Sequence, residues 1–259
     1  MISEFIAAAS PIKFGAAICI AYIPPSKYSK VIRWKKLIEV RNTFIRKNCQ
    51  GKHKPLDNSA IVLAGGASKR FGYDKGLAPL SGKPLIIHVL DALDNIAEEK
   101  IVVVSSKEQA EKMVKVLGSE VKIAIDQNKL QSPLVGALTG FKEAHGEYAL
   151  LLPCDTPLVS REILALILEL CVGKNAVIPR WPNGYIEPLH AAYRVQPALE
   201  AAENTLKDGS LDMRSMVEKL RNIRYVSTLV FQQFDPQLKM FFNVNTPLDL
   251  KRAELMLKV

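Results

Sequence analysis

Several common site motifs are missing from this chain of 259 residues. Its four cysteines form no C-x-x-C pair and no histidine lies at zinc spacing, so we predict no zinc site. A reduced, cytoplasmic protein is the simplest expectation. The sequence contains neither G-x-x-x-x-G-K-[ST] nor G-x-G-x-x-G, which argues against a P-loop NTPase and a dinucleotide-dependent dehydrogenase.

The chain also has no clean membrane-spanning or secretory segment. The most apolar stretch, residues 5–23, is interrupted by Pro11 and Lys13, and its flanking positive charges follow it instead of preceding it. We favour a helical appendage, or residues added by an upstream start codon, over a membrane anchor. Residues 1–58 are therefore predicted to be a basic N-terminal extension, helical or poorly ordered, without membrane contact.

Positive charge is in excess, with a formal net charge of +9. Residues 1–58 contain 11 Lys and Arg against 3 Asp and Glu, a net of +8, which leaves 24 against 23, or +1, for residues 59–259. The basic character therefore belongs to the extension. A nucleic-acid-binding protein more often has its basic patch on the folded domain, so we expect no nucleic-acid partner.

From residue 59 onward, strand-like and helix-like segments alternate, which predicts an α/β fold. We expect a three-layer α/β/α sandwich with a mainly parallel sheet over residues 59–259. The predicted strands are 60–63, 101–104, 121–125, 148–152, 175–179, 186–193, 224–226 and 241–245. The first predicted helix begins at Pro84. Further helices are predicted at residues 107–117, 134–144, 160–171, 196–206 and 211–220, and the last predicted helix has Thr246 as its N-cap.

A glycine-rich loop follows the first predicted strand, over residues 63–76 with the sequence Leu-Ala-Gly-Gly-Ala-Ser-Lys-Arg-Phe-Gly-Tyr-Asp-Lys-Gly. Gly65 and Gly66 offer backbone N–H groups that no side chain obstructs. Arg70 and Lys75 add cationic donors for phosphate oxygens. The loop is therefore predicted to bind phosphate groups.

Two carboxylates follow predicted strands directly. Asp126 comes after residues 121–125, and Asp155 comes after residues 148–152 in the turn Pro-Cys-Asp-Thr-Pro. Ligands of open α/β sheets bind at the carboxyl ends of the strands, so both residues should meet the glycine loop in one crevice. Asp155 is placed to hold Mg²⁺ together with substrate phosphates and water. Without the other motifs, the same sequence would also fit Asp155 as a turn or N-cap residue and Asp126 as a solvated loop carboxylate.

The loop pattern Leu-Ala-Gly-Gly-x-Ser-x-Arg-x-Gly-x-Asp-Lys-Gly resembles the nucleotide signature of the molybdenum cofactor guanylyltransferases, which are nucleotidyltransferases with a Rossmann-like fold. Pro-Cys-Asp-Thr-Pro resembles the metal-binding turn of this family, and residues 187–193 resemble its Glu-Pro-Leu-x-Ala-x-Tyr strand. Asn-Val-Asn-Thr-Pro at residues 243–247 matches its closing motif. Asp126 with Ser-Pro-Leu-Val-Gly resembles Asp followed by Gly-Pro-Leu-x-Gly, with Ser132 in place of glycine.

This resemblance implies transfer of GMP from GTP to a molybdopterin cofactor carrying molybdenum or tungsten, with release of pyrophosphate. It implies Mg²⁺ on Asp155, and cationic catalytic roles for Lys75 and Arg70. Gly66 and its neighbours favour guanine, because cytidylyltransferase relatives tend to have Leu-Ala-Ala-Gly where this chain has Leu-Ala-Gly-Gly at residues 63–66. The implied nucleotide-binding residues are Leu63, Ala64, Gly65, Gly66, Lys75, Asp126 and Asp155. The implied acceptor-binding residues are Asn243, Asn245, Ser210 and Arg214.

Other functions remain open at this point. A nucleotidyltransferase of the same fold could use CTP, or could act on a sugar phosphate or on cobinamide phosphate. A non-catalytic nucleotide-binding protein, tethered to an anionic membrane by its basic extension, belongs to another class. Beyond the two substrates, the resemblance suggests molybdoenzymes or other cofactor-synthesis proteins as partners.

Overall fold

The computed structural model of the chain describes residues 58–65, 74–126 and 130–258. All of them belong to one unit, Lys54–Val259. The predicted N-terminal extension lies outside the described residues, apart from Asn58. No helix in the described part of the chain is long and apolar enough to cross a bilayer.

The described elements alternate as the sequence predicts. The strands are β1 Asn58–Leu63, β2 Pro79–Leu80, β3 Lys83–Pro84, β4 Glu99–Val104, β5 Val121–Ile125, β6 Tyr148–Pro153, β7 Ala176–Arg180, β8 Ala191–Arg194 and β9 Ile223–Ser227. The helices are α1 Leu85–Ala92, α2 Lys107–Val114, α3 Pro133–Glu143, α4 Arg161–Cys171, α5 Val195–Lys207, α6 Met213–Lys219, α7 Thr228–Phe231 and α8 Pro247–Leu257. Short 3₁₀ helices cover Lys75–Leu77 and Lys239–Phe241.

A seven-stranded sheet with the order β5-β4-β1-β6-β8-β7-β9 forms the centre of the fold. The pairs β5-β4, β4-β1, β1-β6 and β7-β9 are parallel, whereas β8 is antiparallel to both of its neighbours. The prediction of a mainly parallel sheet is therefore confirmed. Because β1 lies between β4 and β6, the loop after β1 and the turn after β6 emerge side by side.

Helices cover both faces of this sheet, which confirms the three-layer α/β/α sandwich. Ala60 and Val62 on β1 pack in one core with residues of α1, α2 and α4. Ile61 points to the other face and packs with residues of α3, α5 and α6. This alternation follows from the two-residue period of a strand buried on both sides.

The sheet approaches α3 closely at a glycine. A Cβ atom built at Gly140 would lie 2.3 Å from Cγ2 of Ile61, which is fully buried on β1. No real side chain tolerates that distance, so glycine sets how near α3 lies to the central strand.

Local signals in the sequence place several helix ends correctly. Ser160 and Thr246 are N-caps whose side chains accept hydrogen bonds from Ile163 and Asp249, as predicted. Two predicted strands need correction. The predicted strand 186–193 is reduced to β8, which begins at Ala191. Residues 241–245 form no strand, because Phe241 ends the 3₁₀ helix Lys239–Phe241 and residues 242–245 do not join the described sheet.

Candidate active site

The ends of β1 and β6 bring the glycine loop beside Asp155. Leu63 pairs with Pro153 in the parallel register, and Cys154 N–H then donates to the Leu63 carbonyl at 3.0 Å. Asp155 is the next residue, so its side chain lies just beyond the start of the loop. Carboxyl ends of neighbouring parallel strands produce this meeting of segments that are far apart in sequence.

Lys75 opens a one-turn 3₁₀ helix that returns the chain to this edge. Asp74 caps the turn by accepting from Gly76 N–H at 3.2 Å. Gly76 is buried, and a Cβ built on it would lie 3.1 Å from Cε of Met113 and 3.5 Å from Sγ of Cys154. Glycine therefore lets the turn pack directly against the residue that precedes Asp155.

Lys75 joins two segments through its ammonium group. Its Nζ lies 2.6 Å from Oδ2 of Asp155 and 2.6 Å from Oδ1 of Asn245. The side chains of Lys75 and Asp155 are 18% and 21% exposed, so the ion pair lines a surface that a ligand can reach. Since solvent screens such a partly buried pair less, its attraction is stronger than that of a fully exposed ion pair.

The segment after the second 3₁₀ helix supplies Asn245. Val244 is fully buried and its N–H donates to the Asp155 carbonyl at 2.8 Å, whereas Asn243 and Asn245 are exposed. The N–H of Asn245 donates to Oδ2 of Asp249 at 3.1 Å, within the cap of α8. The backbone of Asn245 is therefore fixed from both sides, and its side chain faces Lys75.

One oxygen of Asp155 is left without a partner. Oδ2 accepts from Lys75, but Oδ1 is buried and has no hydrogen-bond partner in the described part of the protein. A buried carboxylate oxygen without a donor is costly and points to a missing ligand atom. The described residues contain no cluster of three or more His, Cys, Asp or Glu that could hold a metal. The site therefore suits a cation that takes one carboxylate from the protein and its other oxygens from phosphates and water, which is how Mg²⁺ is usually bound.

Gln109 on α2 holds the beginning of the glycine loop, which sequence reasoning missed. Its Nε2 donates to the Ala64 carbonyl at 2.6 Å, and its Oε1 accepts from Ser105 N–H at 2.9 Å and from Ser105 Oγ at 3.1 Å. The side chain is 8% exposed. The sequence gives little signal for this role, because a glutamine on a polar helix usually faces solvent.

The predicted nucleotide-binding residues are placed along this edge only in part. Leu63 ends β1, and Ala64 and Gly65 follow it with Ala64 N–H donating to the Val103 carbonyl at 2.8 Å. Asp126 follows β5, which lies two strands away from β1, and its N–H donates to the Val104 carbonyl at 2.8 Å. Gly66 and Arg70 lie outside the described residues, so their predicted roles stay predictions.

Of two predicted acceptor-binding residues, Ser210 lies in the turn between α5 and α6, and Arg214 lies in the first turn of α6. The α5 helix starts at the amino end of β6 and α6 returns the chain to the amino end of β9, so the turn between them lies at the other end of the helix pair, towards the carboxyl ends of these strands. Ser210 Oγ donates to Asp212 at 2.8 Å, and Arg214 pairs with Glu218 at 3.5 Å. Among the described residues, the structure shows no hydrogen bond from either of them to the cluster formed by Lys75, Asp155 and Asn245.

Comparison with known proteins agrees with this geometry. The sequence profile of the MobA-like NTP transferase domain matches residues 60–223. A molybdenum cofactor guanylyltransferase of Desulfosudis oleivorans is 31% identical over 202 residues, which is 77% of this chain and 96% of that protein. The crystal structure of molybdopterin-guanine dinucleotide biosynthesis protein A from Archaeoglobus fulgidus superposes with a TM-score of 0.66 at 30% identity, covering 77% of this chain and 98% of the other.

A more distant structure supports the fold alone. The 2-C-methyl-D-erythritol 4-phosphate cytidylyltransferase of Thermus thermophilus has a TM-score of 0.58 at 18% identity, over 78% of this chain and 97% of its own.

The three-layer fold with a lysine and a carboxylate at the glycine loop defines an α/β nucleotidyltransferase. Within that class, the chain belongs to the MobA-like NTP transferase domain family.

Proposed function

We propose that this protein transfers GMP from GTP to the terminal phosphate of a molybdopterin cofactor. An oxygen of that phosphate attacks the α-phosphorus of GTP, the new P–O bond forms, and the bond to the β-phosphate breaks to release pyrophosphate. The observation that carries the proposal is the cluster of Lys75, Asp155 and Asn245 beside the glycine loop. The choice of GTP and molybdopterin rests on the names of the relatives.

In this proposal the protein supplies placement and charge. An anionic phosphate nucleophile needs little help from a general base, so catalysis depends on positioning and on stabilising the departing negative charge. Lys75 is held at its place by two oxygens and offers that charge stabilisation. Arg70 adds a second cation, and Gly65 and Gly66 present the loop backbone to the nucleotide. Leu63 and Ala64 lie beside the nucleotide, with backbone groups that are bonded within the fold.

The unpartnered oxygen of Asp155 supports a Mg²⁺ ion in the working site. We propose that Asp155 holds the ion through Oδ1, which is buried and lacks a donor in the described structure. Bound there, Mg²⁺ would neutralise phosphate charge. Asp126 is proposed to contact the nucleotide from the end of β5.

The acceptor is proposed to lie along the exposed asparagines and the α5–α6 turn. The exposed Asn243 and Asn245 offer amide donors for phosphate or pterin groups. Ser210 and Arg214 are proposed to add phosphate contacts, which requires Arg214 to leave its ion pair with Glu218. That pair is exposed and costs little to break.

The test follows pyrophosphate release from purified protein with GTP or CTP and with molybdopterin, a sugar phosphate or cobinamide phosphate. Release only with GTP and molybdopterin supports the proposal, and release with another pair identifies another nucleotidyltransferase. GTP binding without release in any mixture indicates a non-catalytic nucleotide-binding protein.

Two variants make the test specific for the site. Asp155→Ala should abolish transfer while the fold is retained, and full activity in that variant would refute the metal assignment. Asp94→Ala is the matched control, since Asp94 also pairs with a lysine, Lys100, but lies between α1 and β4 at the other edge of the sheet.

We further propose that residues 59–259 form the catalytic domain and residues 1–58 a basic extension without a catalytic role, in a cytoplasmic protein. Molybdoenzymes or other cofactor-synthesis proteins would then receive the product. The intact mass of the protein from its own cells tests whether the extension belongs to the mature chain. If the protein without residues 1–58 is still retained on DNA in a salt-sensitive way, the proposal that the basic character belongs to the extension is contradicted.

A further inference from the structure

A buried histidine next to the site has no role in the reaction proposed above. His190 precedes β8 and is 3% exposed. It occupies the variable position of the Glu-Pro-Leu-x-Ala-x-Tyr pattern, so the resemblance assigns it nothing. Burial lowers its pKa to about 3, and the ring is therefore neutral at physiological pH.

The hydrogen bonds around His190 define which nitrogen has the proton. Thr156 Oγ1 donates its only hydrogen to the Pro153 carbonyl at 3.2 Å. It must then accept from Nε2 of His190, which lies 3.2 Å away. His190 thus holds the turn that contains Asp155 through the residue that follows it.

The other ring nitrogen has no comparable bond. Nδ1 of His190 is buried and has no hydrogen-bond partner in the described structure. The nearest carboxylate oxygen among the described residues, Oε2 of Glu187, is 4.0 Å away, and Oε1 of Glu187 accepts from Trp181 at 2.7 Å. The bond to Thr156 is therefore the only hydrogen bond that orients the ring among the described residues.

The same ring contacts the segment that leads to Asn245. The rings of His190 and Phe241 meet edge to face with centroids 5.1 Å apart, and Trp181 packs on Phe241 at 5.4 Å. Phe241 ends the second 3₁₀ helix, four positions before Asn245. His190 therefore touches both segments that supply partners to Lys75.

We propose that His190 is a positioning residue that fixes Asp155 and Asn245 relative to each other. The inference rests on the proposed function and adds a residue to it. A buried polar ring with one unpartnered nitrogen is costly compared with an apolar side chain. The bond to Thr156 offsets that cost by closing the turn of Asp155, and the ring edge seats the segment of Asn245.

The test compares variants that separate the donor from the ring. His190→Phe retains the flat ring but removes the N–H donor, whereas His190→Gln retains a donor at a similar distance from the backbone. Thr156→Val removes the acceptor from the other side. Ser59→Ala is the matched control, because it also removes a buried hydroxyl that makes two hydrogen bonds, but at the amino end of β1.

We expect His190→Phe to lower kcat about tenfold and to raise the Mg²⁺ concentration for half-maximal rate about fivefold, with KM for GTP unchanged at saturating Mg²⁺. His190→Gln should recover to within about threefold of the original kcat. Thr156→Val also removes the bond to the Pro153 carbonyl, so it should be impaired at least as much as His190→Phe, and the double variant should be no worse than Thr156→Val alone. Ser59→Ala should lower the thermal midpoint but change neither kcat nor the Mg²⁺ dependence.

The inference is overturned if folded His190→Phe has the original kcat and Mg²⁺ dependence, or if its effect adds to that of Thr156→Val. Calorimetric GTP binding at limiting Mg²⁺ tests the same point without an acceptor, and we expect about fivefold weaker binding in His190→Phe. If the original protein transfers no GMP but this binding difference is present, the positioning role stands and the proposed function falls. If His190→Phe does not fold, Thr156→Val gives the same comparison.

Discussion

Asn245 is expected to act on the reaction largely through Lys75. Asn245→Ala removes the amide oxygen that lies 2.6 Å from the Lys75 ammonium. A hydrogen bond to a charged donor contributes about 1.5–3 kcal/mol, and partial exposure of the pair favours the lower half of that range. At about 1.4 kcal/mol for each factor of ten, we expect kcat/KM to fall about 10- to 30-fold.

The decisive measurement is a double-mutant cycle on kcat/KM for pyrophosphate release. Lys75→Met alone should cost about 10²- to 10³-fold, the usual effect of removing one group that stabilises departing charge. In the Lys75→Met background, Asn245→Ala should cost about threefold or less, because the amide then has no ammonium to hold.

Asn243→Ala supplies the control for this cycle. Asn243 is also exposed, but its amide donates to the Phe241 carbonyl at 3.4 Å and does not reach Lys75. Its effect should therefore be the same in both backgrounds. The reasoning is refuted if Asn245→Ala also costs the same with and without Lys75, because its whole effect would then come from direct contact with the acceptor or the metal ion and none of it through Lys75.

Three further predictions concern stability and reactivity. Gly140→Ala should destabilise the protein by about 1–3 kcal/mol in urea unfolding, because the new methyl group meets stiff, β-branched Ile61 at 2.3 Å. This cost exceeds the gain in helix propensity of about 1 kcal/mol. An unchanged unfolding midpoint would contradict the close contact between α3 and β1. Burial raises the pKa of the Cys154 thiol far above its usual range, so peptide mapping should find it unmodified by iodoacetamide until the protein is denatured. Thr246→Ala should cost about 1 kcal/mol at pH 7 through the lost N-cap. The hydrogen bond from Thr246 also lowers the pKa of Asp249 from its ordinary value, so this part of the stabilisation is present above the unfolded-state pKa and lost as the pH falls through the folded-state pKa. The difference between the two proteins should therefore shrink in acid.

The sequence was sufficient for the fold because its signals are local and agree with one another. Unbroken apolar runs mark the strands that are buried on both faces, and Ser160 and Thr246 cap the helices where the pattern predicts them. The strand predicted at residues 241–245 was wrong, because aromatic and β-branched residues favour a strand wherever they occur. Here the apolar side chains pack against His190, Trp181 and a neighbouring core without pairing in the sheet.

The site was predictable only as far as topology determines it. The rule that ligands bind at the carboxyl ends of strands brought Asp155 to the glycine loop, and the structure adds the bond to Lys75. The sequence did not predict that Gln109 and His190 hold the two sides of this site. Both are polar residues whose burial depends on neighbours that are distant in the chain, and no periodic pattern records such contacts.

The bond between Lys75 and Asn245 joins residues 170 positions apart. During synthesis the glycine loop, the central strands and Asp155 all leave the ribosome long before the asparagine does. The ammonium group can therefore obtain its second partner only after residue 245 has been made, and the chain segment between these two partners is the longest that a described hydrogen bond of the site closes. Formation of this contact is in this sense the last step in the assembly of the cluster of Lys75, Asp155 and Asn245, and a protein without residues 242–257 would lose the active arrangement of Lys75.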